Sequence, residues 1–190
     1  MLAWLKMRYT RRRTARSLYG SIVTAARRRI LYADLGVPDT MQGRFEMILL
    51  HLALTIRRLG IEGGAGKGVA QALTEAFVVD MDDVMREMTF SDLAVPREIK
   101  RATAALFDRH NAYLAALTSP HDILLTQALE AQLAYLEPAG LDAGGLAQYV
   151  RRAASALADQ SGSQILGGHL AWPEPAGASQ SNRSRHAGRE

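Results

Sequence analysis

Apolar residues recur every three to four positions over most of the chain, and no stretch alternates convincingly with period two. The pattern predicts six helices and no strand. The first spans about residues 14–31, with Leu18, Tyr19, Ile22, Ala26 and Ile30 on one stripe. Its last turn would hold Arg27, Arg28 and Arg29, a match for the negative end of the helix dipole. Gly36 and Pro38 then break a connector over residues 32–40. The second helix, 41–59, opens with Asp39 as its cap and Gln42 three residues on. Phe45, Ile48, Leu49, Leu52, Ile56 and Leu59 line one side of it, and Met47, Leu50 and Leu54 the other. A helix apolar nearly all round belongs at the centre of a domain, so it is the expected hub.

Residues 60–68 hold five glycines and read as a loop. The third helix, 69–88, carries Leu73, Phe77, Met81, Val84 and Met88. Pro96 suits the first position of a fourth, which buries Ile99, Thr103, Leu106, Tyr113, Leu114 and Leu117. Ser119-Pro120-His121-Asp122 reads as cap, proline and acidic first turn of a fifth, whose stripe is Leu125, Leu129, Leu133 and Leu136. Pro138 and Gly140 end it. A sixth, 142–158, is weakened by Gly144 and Gly145 in its first turn. The expectation is an all-α, single-domain bundle of about six helices over 14–160. A basic arm, 1–13, precedes it, and a Gly/Pro/Ser-rich tail, 161–190, largely disordered, follows.

Composition agrees with one ordinary domain: 190 residues, 48% apolar and 22% charged. The absence of cysteine excludes disulfides, cysteine metal sites and a thiol nucleophile. Charge changes the picture more. Net charge is +4 and the pI about 9.7, which suggests a nucleic-acid partner. Yet residues 1–30 carry nine Lys/Arg and no acid, while residues 31–172 carry eleven against seventeen Asp/Glu. A basic arm on an acidic body is not a uniformly basic binder, and no DNA partner is expected. The start lacks the apolar core of a secretory signal, though its Arg-rich, acid-free character suits a transit peptide. The longest apolar run, 47–56, contains His51 and is too short to span a bilayer, so a soluble or peripheral protein is expected.

No catalytic constellation stands out. The segment 63–68 is a partial match to a phosphate loop, but Ile61 stands where the pattern needs glycine and Gly68 where it needs Ser or Thr. There are no paired Glu-x-x-His motifs for a di-metal bundle and no Gly-x-Ser-x-Gly elbow. Asp80, Asp83 and Glu87 share a helical edge, with Asp82 and Arg86 spaced as an ion pair. That edge is either a solvated face or a docking surface for a basic segment. His51 and His110 sit on apolar stripes, where a histidine is usually a hydrogen-bonded core residue. With Met47 and Met81 they also allow a bundle that holds a haem, a quinone or a lipid. In the arm, Trp4 and Leu5 with Arg11, Arg12, Arg13 and Arg16 suit an anionic membrane surface or ribosomal RNA.

The blocks 19–27, 32–40, 43–47, 77–88 and 92–96 resemble, in order, the ubiquinol–cytochrome c chaperone family, and most of all its alphaproteobacterial members. The resemblance covers about residues 18–135 and extends more weakly to 160. It implies a non-enzymatic, all-helical assembly factor for the cytochrome bc1 complex (respiratory complex III), with newly made cytochrome b as client and no cofactor. Some relatives associate with the ribosome near its exit tunnel. It places the protein in the bacterial cytoplasm at the inner face of the membrane, or in mitochondria if the source is eukaryotic. On this view the connector residues Tyr32, Asp34, Leu35, Val37 and Asp39 shape the client surface together with Asp80, Asp83 and Glu87.

Overall fold

A computed structural model describes residues 2–87 and 95–175. The chain runs α1 (Leu2–Ala26), α2 (Arg29–Ala33), α3 (Met41–Gly60), α4 (Gly63–Glu87), α5 (Val95–Leu117), α6 (Asp122–Leu133), a 3-10 turn (Ala134–Leu136), α7 (Ala143–Asp159) and α8 (Gly162–Leu166). The fold is all-α. No strand occurs among the described residues, nor any helix long and apolar enough to cross a membrane.

Helix α3 is the hub that its pattern predicts. It touches α1, α4, α5 and α7. Leu49, Leu50, Leu52 and Ala53 are fully buried although they point in different directions around the axis. Thr40 starts the helix by accepting the Gly43 N–H at 3.1 Å, so the cap is one residue later than Asp39. Phe77 of α4 packs on Phe45 of α3, ring centroids 6.2 Å apart.

Five boundaries differ from expectation, each for a local reason. The first helix starts at Leu2, so the basic arm is the beginning of α1 rather than a separate segment. It stops at Ala26, because Arg28 leaves the helical region (ψ 125°). The Tyr32 hydroxyl donates to the freed Ala26 carbonyl at 2.5 Å. Thus Arg27 and Arg28 lie beyond the last turn of α1, not in it.

The glycine stretch at 60–68 is not a loop. Only Ile61 and Glu62 separate α3 from α4, and Gly63, at φ +61°, begins the new helix. Glycine is a poor helix former, costing about 1 kcal/mol against alanine. Here close packing requires it. A Cβ on Gly66 would lie 1.9 Å from the Leu59 carbonyl oxygen, and one on Gly68 would lie 2.6 Å from the Arg11 guanidinium.

The fifth predicted helix, α6, begins at Asp122. Ser119 accepts the His121 N–H at 3.2 Å in the turn before it, so the proline stays outside. By contrast α7 is firmly built despite its glycines. Asp142 accepts the Gly145 N–H at 2.8 Å, and Leu146, Ala147, Tyr149, Val150 and Ala153 are fully buried. At its far end the buried Arg58 donates to the carbonyls of Leu157 (2.8 Å) and Gln160 (2.7 Å), closing the α7 C-terminus from α3.

The segment expected as disordered tail is docked as far as residue 175. Ile165 is fully buried. Thr14, Ser17 and Ser21, spaced along one face of α1, donate to the carbonyls of Leu166, Gly168 and Leu170 at 2.8–3.0 Å. Arg28 reaches the Pro173 carbonyl and pairs with Glu174 at 3.2 Å. Small hydroxyl residues on a helix face signal nothing by periodicity, which is why this strap was not foreseen. Residues 176–190 lie outside the described residues.

The connector is fixed by one glycine. Gly36 has φ +72°, and a Cβ there would meet the Gly140 carbonyl oxygen at 1.9 Å. Gly36→Ala combines left-handed strain with a backbone clash and should lower stability by about 2 kcal/mol, read from the urea midpoint. An unchanged midpoint would show that the connector shifts freely away from residue 140.

Candidate functional site

The connector residues split into two groups. Leu35 and Val37 are 0% and 1% exposed and belong to the core, so they cannot present a surface. The Leu35 carbonyl accepts the Asp142 N–H at 3.0 Å and ties the connector to the start of α7. Tyr32 is half-buried, and burial pushes its phenol up to about 12. Asp34 and Asp39 are exposed. Arg44 donates to Asp39 at 2.7 Å and holds its carboxyl below the usual range.

Beside these residues lies an open hollow of about 530 Å³, lined by Arg27, Arg29, Tyr32, Ala33, Asp39 and Arg44. On the acidic edge of α4, Asp80 is half-buried and accepts the Tyr19 hydroxyl at 2.8 Å. Burial and this carboxylate push the Tyr19 phenol up, while the charge of Arg27 acts on both Tyr19 and Tyr32. Arg27, which lines the hollow, is thus near enough to act on the Tyr19–Asp80 pair as well. Asp83 is exposed, and the Glu87 side chain lies outside the described residues. Sequence reasoning did not foresee the three arginines of the hollow. The run Arg27–Arg29 was visible, but it was assigned to a helix end that lies elsewhere.

The arm residues form a second surface. Trp4 and Leu5 are 58% and 52% exposed, and Arg12, Arg13 and Arg16 are exposed too. Arg8 stands 5.5 Å over the Trp4 ring. At 100° per residue, Leu5 and Tyr9 point to one side of α1 and Trp4 and Met7 to another, so the apolar residues do not share a stripe. Trp4, Arg8 and Arg11 line a shallow groove of about 240 Å³ with Gly68, Gln71 and Glu75 of α4.

The histidines behave as core residues. His51 is fully buried. Its Nδ1–H donates to the Met47 carbonyl and its Nε2 accepts the Tyr149 hydroxyl, both at 2.7 Å. Burial above all pushes the imidazole down to about 4. His110 is half-buried and donates from Nδ1 to the Ala53 carbonyl at 3.2 Å. Met47 and Met81 are buried in the packed core. With both nitrogens of His51 engaged, these four residues do not form a ligand pocket. Among the described residues no three His, Asp or Glu converge as metal ligands.

Comparison with known proteins defines the class. The family described as Ubiquinol-cytochrome C chaperone matches residues 33–172, and the chain belongs to it. Among solved structures, it is similar to the Cbp3 homolog from Brucella abortus, with 30% identity and a TM-score of 0.78. That match covers 92% of this chain and 97% of the other. No curated protein matches the chain.

Proposed function

We propose that this protein is an assembly chaperone of the cytochrome bc1 complex and that its client is newly made cytochrome b. Family membership over residues 33–172 carries the proposal. Acidic side chains on the surface support this reading. Asp34 and Asp83 are exposed and Asp80 is half-buried, and an unassembled membrane protein offers Lys/Arg-rich cytoplasmic loops to such acids. The cationic arm with exposed Trp4 and Leu5 suits a position at the cytoplasmic face of the membrane or beside the ribosome, where the client emerges.

Deleting the gene should abolish assembled bc1 complex and leave the other respiratory complexes intact. The wild-type gene should restore it. Asp83→Lys is the sharper variant, because Asp83 is exposed whereas Asp80 holds Tyr19. It should lower co-purification of cytochrome b about fivefold or more at low salt. Normal bc1 levels in the deletion strain would remove the proposed role. Undiminished capture by a folded Asp83→Lys protein would remove the acidic edge from the client surface and leave the role itself standing.

A further inference from the structure

The hollow beside the connector carries three guanidinium groups against one carboxylate. Asp39 is already engaged by Arg44. Arg27 and Arg29 are exposed and have no ion-pair partner among the described residues. Their convergence is a product of the helix break. Two residues apart in a continuous helix, they would point about 200° from each other. Arg28 interrupts the helix, and its own side chain is drawn off to Pro173 and Glu174. That lets both neighbours line one hollow. Bringing like charges together costs energy unless a bound anion offsets it.

We infer that this hollow binds a phosphate-bearing ligand. Planar guanidinium forks match phosphate oxygens bidentately, and the two uncommitted ones, Arg27 and Arg29, suit a group of more than one negative charge. The volume, about 530 Å³, lies in the range of organic-ligand sites and leaves room beyond a bare phosphate. Tyr32 and Ala33 supply an apolar stretch of wall for the body that carries the phosphate. The source is either a soluble phosphate ester or the headgroup of an anionic phospholipid. This site does not depend on the chaperone role and is tested on the purified chain.

Inorganic pyrophosphate, titrated calorimetrically into the full-length protein in phosphate-free, low-salt buffer, should bind with sub-millimolar affinity. Replacing both Arg27 and Arg29 by alanine should weaken it at least about tenfold, given two lost charge-assisted contacts. Removing the same charge elsewhere, with Lys100→Ala and Arg152→Ala at two exposed positions, should leave it unchanged. If the first variant folds poorly, Arg29→Gln alone should still weaken binding about threefold or more. No pyrophosphate binding, or an equal loss in the Lys100/Arg152 variant, overturns the site. Sedimentation with phosphatidylcholine vesicles, with and without phosphatidylglycerol, separates the sources. Loss of phosphatidylglycerol-dependent binding in the Arg27/Arg29 variant assigns the site to a lipid headgroup. Retained vesicle binding beside lost pyrophosphate binding assigns it to a soluble ester.

Discussion

Arg109→Met should destabilise the protein by about 3–5 kcal/mol. Arg109 of α5 grips Glu46 of α3 with both ends of its fork, Nη2 to Oε1 at 2.7 Å and Nε to Oε2 at 3.1 Å. The Tyr135 hydroxyl adds a third donor at 2.9 Å. Glu46 is 1% exposed, so removing the arginine strands a carboxylate in the core with only a phenol to solvate it. Replacing both partners by apolar residues, Glu46→Leu with Arg109→Met, should recover most of the loss. The Tyr135 hydroxyl then turns to water, since Tyr135 is largely exposed. Urea unfolding of the two single variants and the double one closes the cycle. A cost below about 1 kcal/mol for Arg109→Met would mean that the core around Glu46 admits water and that the pair does not fasten α5 to the hub.

This cluster shows where sequence reading stops. Periodicity found all six long helices among the described residues, because each carries a stripe that must be buried, and α3 was recognisable as the hub from apolar residues on both sides. What periodicity does not report is pairing across distance. Glu46 and Arg109 are 63 residues apart and each alone reads as a surface charge. Arg58 likewise reads as a solvated helix end, yet it closes α7 from within the core. The glycines at 63–68 failed in the opposite direction. Their composition signals a loop, but Gly66 lets the start of α4 pass close to the Leu59 backbone at the end of α3. At the candidate site, sequence identified the connector and the acidic edge, and could not tell that Leu35 and Val37 turn inward. It also could not tell that a break at Arg28 would gather arginines beside Asp39. Arg28, at the break, is held by the strap near residue 173, and no local signal marks that contact.

The strap also makes the molecule sensitive to acid. His51 is fully buried, both its ring nitrogens are engaged, and the Trp172 ring of the strap lies edge-on to it, centroids 4.7 Å apart. Burial pushes the imidazole from its ordinary 6.5 down to about 4, with the nearby charge of Arg28 acting the same way and the Met47 carbonyl opposing it. The unfolded chain therefore takes up a proton that the native state refuses. Stability from this group is complete above about pH 6.5, falls as pH drops below that, and is fully lost by about pH 4. A shift of this size corresponds to about 3 kcal/mol. Protonation also forces Nε2 to become a donor against the Tyr149 hydroxyl, which must then reverse its own proton away from the ring. Trp172 is the natural reporter, since the other tryptophan, Trp4, is exposed and can be replaced by phenylalanine. In that background the urea midpoint should fall between pH 6.5 and 4, while the native fluorescence of Trp172 should shift toward that of a solvated indole only as pH drops through about 4, where His51 itself takes up the proton. His51→Gln should be less stable at neutral pH, because it gives up a fitted pair of hydrogen bonds, and should lose most of the pH dependence in this window. If His51→Gln keeps the same pH slope as the wild type, the acid sensitivity belongs to the surface carboxylates and the strap is not coupled to the imidazole.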